Sequence, residues 1–138
     1  MSAHLWRLCS RRSSPGDGGF GGDSSGAIAP HRVPARAPDL ECHTLVPLNQ
    51  PFIYRLSGDR NPLHVDPVVA RAAGFERPIL HGLSTYGMAV RSIIKAALGN
   101  DPHPVEHVAA RFSAPVFPGE RLQTLIWRDG LELSFRMQ

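Results

Sequence analysis

The sequence contains little cysteine and no long apolar run, and each shortage excludes a class of protein. Only Cys9 and Cys42 are cysteines among 138 residues, and neither belongs to a CxxC pattern. A disulfide framework and a structural zinc site are therefore not expected. No apolar segment approaches the roughly 18 residues that span a bilayer. With 42% hydrophobic and 20% charged residues, the composition instead predicts one globular domain in a soluble, intracellular protein.

The net positive charge is confined to the N-terminal part of the chain. Residues 1–38 hold five arginines against two aspartates, whereas residues 39–138 hold ten basic and ten acidic residues. A charge-balanced folded part lacks the basic surface that a nucleic-acid backbone requires, so no nucleic-acid partner is expected. The fourteen arginines suggest a GC-rich coding sequence, which favours a bacterial, cytoplasmic protein.

The first 38 residues are predicted to form a flexible tail or a linker remnant. Residues 13–38 contain six glycines, four prolines and four serines. Such a segment buries too little apolar surface to offset the entropy of ordering it. Residues 1–12 are rich in arginine and contain no acid, which is typical of a mitochondrial targeting segment or of the end of a preceding element. The globular domain is predicted over residues 39–138.

Hydrophobic periodicity within residues 39–138 predicts an α+β domain. Helices are predicted over residues 50–57, 66–73 and 82–98. Strands are predicted over residues 43–47, 107–116, 121–128 and 131–137. The longest helix has an apolar face formed by Leu83, Tyr86, Val90, Ile93, Ile94 and Ala97. Asp129-Gly130 is typical of a hairpin turn, so the last strands are expected to form an antiparallel meander against the long helix.

The last predicted strand runs to Gln138 without a cap or a turn. A sheet that ended there would present a long unpaired apolar edge, which natural proteins avoid. The pattern therefore predicts a C-terminally truncated domain from which the final strand or strands are missing.

Residues with chemical potential crowd into the segment 57–82. They are Asp59, Asn61, His64, Asp66, His81 and Gly82. Asp59 and His64 are separated by a proline-containing turn, so a carboxylate and an imidazole can converge there, hold a water molecule and move protons near neutral pH. Asn61 can orient that water. The backbone N–H of Gly82, at the start of the long helix, can receive negative charge that develops on an oxygen. These are the groups needed to add water to a conjugated carbonyl.

Each of these residues also has a purely structural interpretation. Asp59 and Asn61 are typical of Asx turns, and Asp66 is assigned to the N-terminal cap of the second helix. His64 and His81 can be buried, hydrogen-bonded histidines, and Gly82 can serve close packing. A metal site built from His64, Asp66 and His81 is disfavoured, because the spacing matches no helix-face or finger pattern.

Residues 54–83, YRLSGDRNPLHVDPVVARAAGFERPILHGL, resemble the hydratase 2 signature of the MaoC-like dehydratase family. Members of this family have a hot-dog fold and act on enoyl-CoA thioesters. The similarity extends over residues 43–137, and GDGGFGG at 16–22 is similar to the linker that joins the two hot-dog halves of long hydratase 2 enzymes. The resemblance implies a curved antiparallel sheet wrapped around a long central helix.

The same resemblance implies a reaction and a role for each site residue. Asp59 and His64 match the catalytic pair, Asn61 the neighbour that helps to place water, and Gly82 the backbone donor to the thioester oxygen. The implied reaction is the reversible syn hydration of a trans-2-enoyl-CoA to a (3R)-3-hydroxyacyl-CoA. No metal or redox cofactor takes part, and the implied assembly is a homodimer or an association with a second hot-dog unit.

Two features of the sequence depart from the long hydratase 2 enzymes. Compared with those enzymes, we expect only a remnant of the N-terminal hot-dog half before the linker, and we expect the final strand or strands to be missing. Two alternatives to an active hydratase therefore stay open. One is a non-catalytic hot-dog remnant or acyl-CoA-binding partner subunit, and the other is a hot-dog acyl-CoA thioesterase.

Overall fold

The computed structural model describes residues 31–138 and confirms the α+β class. The strands are β1 (Leu40–Leu45), β2 (Arg121–Asp129) and β3 (Glu132–Met137). The α-helices are α1 (Gln50–Tyr54), α2 (Pro67–Ala72) and α3 (Gly82–Ala97). Two short 3-10 helices cover Arg55–Ser57 and Pro62–His64. Over the described range, no helix has the length and apolarity to cross a membrane.

The three strands form one antiparallel sheet in the order β1-β2-β3. Leu40 pairs with Ile126 across the first ladder, and Asp129 pairs with Glu132 beside the β2–β3 turn. Gly130 occupies that turn with φ of +64°, a conformation that glycine adopts without steric cost. The hairpin predicted at Asp129-Gly130 is therefore confirmed.

Helix α3 packs against the sheet and supplies much of the core. Ile93 and Ala97 of α3 are buried against Ile126 of β2 and Leu133 of β3. Burying an isoleucine or leucine side chain contributes about 1.5–3 kcal/mol each, so this contact is a principal source of stability. The long helix predicted over residues 82–98 is confirmed, and it lies on an antiparallel sheet as expected.

The apolar face predicted for α3 is wrong at its first residue. Leu83 is 62% exposed, whereas Ser84 and Ser92 are buried. The Ser92 hydroxyl lies 3.0 Å from the Thr44 hydroxyl of β1, so a hydrogen bond compensates for the loss of water. The Ser84 hydroxyl accepts a hydrogen bond from the Gln50 amide of α1 at 3.2 Å. A hydropathy pattern does not reveal serines that are paired across an interface.

The strand predicted over residues 107–116 is also wrong. Residues 106–113 have no regular secondary structure, and Phe112, which was expected to be buried, is 52% exposed. Alternation favours an extended backbone, but a strand also needs a neighbouring edge for its hydrogen bonds. Within the described residues, the segment forms no ladder with the outer edge of β1 or of β3, and the sheet has three strands. The segment instead passes the N-terminal end of α3, where it lines a cleft.

Helix α2 has the capping predicted from the sequence. The Asp66 carboxylate accepts hydrogen bonds from the backbone N–H of Val68 at 2.8 Å and of Val69 at 3.4 Å. Pro67 is the first helical residue, and Gly74 follows the helix with φ of +88°. The Asp66 side chain is therefore engaged in the cap, as the sequence analysis assigned it.

The segment that precedes β1 lies against the sheet. His31 Nε2 is 2.8 Å from the Ser134 hydroxyl of β3, and Trp127 Nε1 of β2 donates to the Arg36 carbonyl at 2.8 Å. Residues 1–30, which include the possible targeting segment and the linker-like sequence, lie outside the described residues. A flexible tail over residues 1–38 therefore stays a prediction.

Candidate active site

Asp59, Asn61 and His64 lie in one turn, which is stabilised by hydrogen bonds from its own side chains. The Asp59 carboxylate accepts a hydrogen bond from the Asn61 N–H at 3.3 Å, and the Asn61 side-chain oxygen accepts one from the Leu63 N–H at 3.0 Å. The Asx-turn interpretation is thus correct for both residues, and the turn also projects their remaining polar atoms. The amide NH2 group of Asn61 supplies two further donors that can contact a water molecule.

The buried imidazole of His64 has a defined hydrogen on one nitrogen. The ring is only 8% exposed, and its Nδ1 lies 2.8 Å from the Ile79 carbonyl oxygen. A carbonyl oxygen only accepts, so Nδ1 carries the hydrogen and donates it. In the neutral ring, Nε2 then holds a lone pair and can accept a proton.

His81, the residue before α3, belongs to the same cluster. Its ring is 1% exposed and stacks on the His64 ring with centroids 3.8 Å apart and an interplanar angle of 29°. Its Nε2 donates to the Asp59 backbone carbonyl at 3.2 Å, and the Tyr54 ring packs on it at 4.7 Å. From the sequence, His81 is expected only as a hydrogen-bonded histidine or as a ligand of the disfavoured metal site, and not as part of the catalytic pair. The clustering of polar and ionisable residues over positions 57–82 was the feature of the sequence that could have indicated a larger role for His81.

One polar atom from each of Asp59, His64 and His81 lies within 4.8 Å of the others. A carboxylate oxygen of Asp59 and a ring nitrogen of His64 are thus close enough for one water molecule to bridge the two side chains. The structure therefore joins Asp59, rather than Asp66, to the two histidines. His64 Nδ1 and His81 Nε2 already donate to the backbone carbonyls of Ile79 and Asp59, so these two nitrogens are not available as metal ligands.

The surroundings of His81 disfavour the protonated form of its ring. Burial is the main cause that lowers the pKa of His81 below its usual value, and the neighbouring His64 lowers it further. The hydrogen bond to the Asp59 carbonyl and the Asp59 charge raise this pKa, and Arg55 lowers it, without reversing the direction. An unprotonated His81 therefore places no positive charge of its own against the His64 ring.

The lowered pKa of His81 predicts a loss of stability in acid. The unfolded chain binds a proton at this histidine near pH 6.5, whereas the native state resists protonation, so the free energy of unfolding falls as the pH drops below about 6.5. We expect the His81→Gln variant to lose less of this free energy than the wild type on acidification, as measured by urea denaturation. Asp59, His64, Arg55 and Tyr54 stay in both proteins, so an identical pH dependence would contradict the assignment.

A cleft of about 350 Å³ opens beside this cluster. His64 and Gly82 lie on its wall together with Thr85, and the rest of the lining is mostly apolar: Phe75, Ile79, Leu80, Phe112, Ser113, Ala114, Pro115 and Val116. Such a lining suits a hydrocarbon chain that carries one polar reacting group. His64 also lines a smaller cleft of about 170 Å³ beside Arg77.

Gly82 brings the N-terminal end of α3 to the cleft. The N–H groups of Ser84 and Thr85 bond to the His81 carbonyl, whereas no described residue accepts a hydrogen bond from the Gly82 N–H. The Phe112 ring lies 3.7 Å from the position that a Cβ on Gly82 would occupy, which is ordinary van der Waals contact. A backbone donor at the positive end of a 16-residue helix therefore borders the same cleft as His64.

Solved structures show that this fold is the hot-dog fold, as predicted. The full-length peroxisomal multifunctional enzyme type 2 from Drosophila melanogaster superposes with a TM-score of 0.72 at 39% identity, covering 82% of this chain and 21% of that chain. A MaoC-like dehydratase from Phytophthora capsici superposes with a TM-score of 0.73 at 37% identity, covering 88% of this chain and 42% of that chain. The family model described as MaoC like domain matches residues 31–138, and the chain belongs to that family.

Named relatives give the same result from sequence. The chain is 46% identical to the enoyl-CoA hydratase ChsH3 of Mycobacterium tuberculosis over 94% of its own length and 45% of the relative. It is 47% identical to the peroxisomal enoyl-CoA hydratase 2 of Arabidopsis thaliana over 76% of its own length and 34% of the relative. The chain thus spans less than half of either relative, and the resemblance to the hydratase 2 type is confirmed.

Proposed function

We propose that this chain hydrates a trans-2-enoyl-CoA to a (3R)-3-hydroxyacyl-CoA, with Asp59 and His64 as the catalytic residues. The observation that carries the proposal is the closeness of the exposed Asp59 carboxylate to the buried His64 imidazole, which lines an apolar cleft. Its relatives named enoyl-CoA hydratase support the substrate class. The acyl chain would lie against the apolar lining.

The Asp59 carboxylate and the His64 imidazole orient the attacking water molecule. A water that donates one hydrogen to the Asp59 carboxylate and the other to His64 Nε2 has its oxygen lone pairs directed away from both groups. The amide NH2 of Asn61 can donate to that oxygen and hold its orientation. The water is then placed to attack C3 of the conjugated thioester while its proton passes to the pair.

One water molecule supplies both added groups. Its oxygen bonds to C3, the C2–C3 double bond opens, and electron density moves through C2 to the thioester oxygen. The Gly82 N–H stabilises that oxygen as its negative charge grows. The proton held by the Asp59–His64 pair is delivered to C2 from the side on which the oxygen was added. The addition is therefore syn and reversible, and the pair returns to its starting protonation state.

The direct test follows the loss of the conjugated enoyl-thioester absorbance and reads the product with a (3R)-specific coupling enzyme. Formation of (3R)-3-hydroxyacyl-CoA supports the proposal. Release of free CoA from a saturated acyl-CoA would favour the thioesterase, because the same pair would then direct water to the thioester carbonyl. Tight acyl-CoA binding without either product would favour the non-catalytic acyl-CoA-binding partner.

Replacing Gly82 by proline is expected to lower kcat by about 10²–10³-fold, because it removes one donor to the developing oxyanion. The substitution suits this position. Proline is favoured as the first residue of a helix, and His81 already has φ of −57° and ψ of 133°, in the region that a following proline requires. Steady-state kinetics with a trans-2-enoyl-CoA measures the effect.

The control for Gly82→Pro is Gly82→Ala, which adds a Cβ but keeps the N–H. That Cβ meets the Phe112 ring at an ordinary contact distance, so α3 is not disturbed. We expect the alanine variant to be much faster than the proline variant. Equal losses in the two variants would show that the space above Gly82 matters and that its N–H does not.

We also propose that the chain associates with a copy of itself or with a second hot-dog unit. Large apolar side chains are exposed around α1 and the 3-10 helix that follows it: Leu48, Phe52, Ile53 and Leu56. A partner that covers them would remove an apolar patch of the kind that marks interaction surfaces. Light scattering of the purified chain tests this, and a monomer at high concentration would contradict self-association.

A cytoplasmic location is proposed on the arginine-rich composition alone. The Arabidopsis thaliana relative is named as peroxisomal, which makes that organelle the competing location. Imaging of the tagged chain in its own cells distinguishes the two.

A further inference from the structure

His81 makes one contact to each member of the proposed catalytic pair. Its Nε2–H donates to the backbone carbonyl of Asp59, and its ring stacks on the His64 ring. Asp59 and His81 are 22 residues apart in sequence, so this hydrogen bond links the turn to the start of α3. We propose that His81 is a positioning residue, which sets the placement of the Asp59 carboxylate relative to His64 and acts through both of them. This role rests on the proposed hydratase function.

Packing alone does not account for an imidazole at this position. The ring is almost fully buried, yet its Nδ1 has no hydrogen-bond partner among the described residues. An unpaired buried polar atom is destabilising, and an apolar ring would fill the same space without it. The Nε2–H is what an apolar ring lacks, and its acceptor is the residue whose carboxylate carries the chemistry. The imidazole is therefore explained by the link to Asp59.

The stacking contact supplies the second half of the role. His64 is held at one nitrogen by the hydrogen bond from Nδ1 to the Ile79 carbonyl, and this contact leaves the faces of the ring to be supported by neighbouring side chains. The His81 ring, itself packed against Tyr54, provides that support. The charged and titratable groups that face His81 are Asp59, His64, Arg55 and Tyr54. A neutral ring here supports His64 without repelling its proton.

Two substitutions separate the link to Asp59 from the packing. His81→Phe keeps an aromatic ring against His64 and removes the donor, whereas His81→Gln keeps a donor near the Nε2 position and removes the ring. A misplacement of about 1 Å can cost 10²-fold in rate, so we expect His81→Phe to lower kcat by about 10–100-fold with KM changed much less. His81→Gln is expected to recover part of that loss.

The same variants are compared without substrate by amide hydrogen exchange. The turn over residues 59–64 is expected to exchange faster in His81→Phe than in the wild type, and to be protected again in His81→Gln. The thermal midpoint of each variant controls for general unfolding. A folded His81→Phe variant with wild-type kcat, or with unchanged exchange over the turn, would overturn the proposal. If the wild type hydrates no enoyl-CoA while the exchange results hold, the proposed function fails and the positioning of Asp59 stands.

Discussion

Replacing Asp59 by asparagine is expected to lower the rate of enoyl-CoA hydration by about 10²–10⁴-fold, because an amide does not take a proton from water. The substitution preserves shape, and the asparagine oxygen can still accept the hydrogen bond from the Asn61 N–H. Because Asp59 is exposed, the free energy of unfolding should change little. Turnover with a trans-2-enoyl-CoA and urea denaturation of the same preparation measure both quantities.

Asp66 provides the control for the Asp59 variant. Its carboxylate caps α2, so Asp66→Ala is expected to lower the free energy of unfolding by about 0.5–2 kcal/mol while the folded protein keeps its turnover. The two aspartates lie in one short segment, and their variants are expected to differ: Asp59→Asn loses turnover and keeps stability, whereas Asp66→Ala loses stability and keeps turnover. If Asp59→Asn retained near-wild-type turnover, or if Asp66→Ala lost as much, the assignment of the catalytic carboxylate would be wrong.

Replacing His64 by asparagine is also expected to reduce kcat by about 10²–10⁴-fold, because the substitution removes the Nε2 lone pair. The asparagine amide can occupy the place of Nδ1 and donate to the Ile79 carbonyl, so the structural hydrogen bond is retained. His64 is buried and stacked, so some loss of stability accompanies the change and is measured by thermal unfolding. The loss of kcat should exceed what the unfolded fraction accounts for.

The matched control for His64→Asn is the same substitution at His103, which is exposed in a loop. We expect His103→Asn to leave both kcat and stability unchanged. The double variant of Asp59 and His64 offers a second check. Residues that act on one water molecule are strongly non-additive, so the double variant should be little slower than the slower single variant. Full multiplication of the two losses would show that the residues act in separate steps.

Local patterns predicted the elements that depend on neighbouring residues. The Asp66-Pro67 cap, the glycine that follows α2 and the Asp129-Gly130 hairpin are each determined by backbone preferences of a few residues, and the structure contains all three. The long helix was predicted from a periodicity that extends over more than four turns, which is enough to override local ambiguity. The turn from Asp59 to His64 is likewise determined locally, by hydrogen bonds from its own side chains.

The predictions that failed required knowledge of a distant partner. Residues 107–116 alternate as a strand should, but alternation specifies an extended backbone and not the edge that would pair with it. Leu83 belongs to the periodic face of α3 and is nonetheless exposed, because the sheet covers the helix over its small residues instead. In both cases the outcome depends on where another element packs.

The sequence by itself determined the proximity of Asp59 and His64, because a short turn with its own side-chain hydrogen bonds leaves those residues few alternative placements. It also determined that Gly82 begins the long helix, since the periodicity starts there. Only the tertiary structure decided that His81 lies beneath His64 and bonds to Asp59. That contact forms where the start of α3 packs against the turn, and periodicity and spacing carry no information about packing between segments that are distant in the chain.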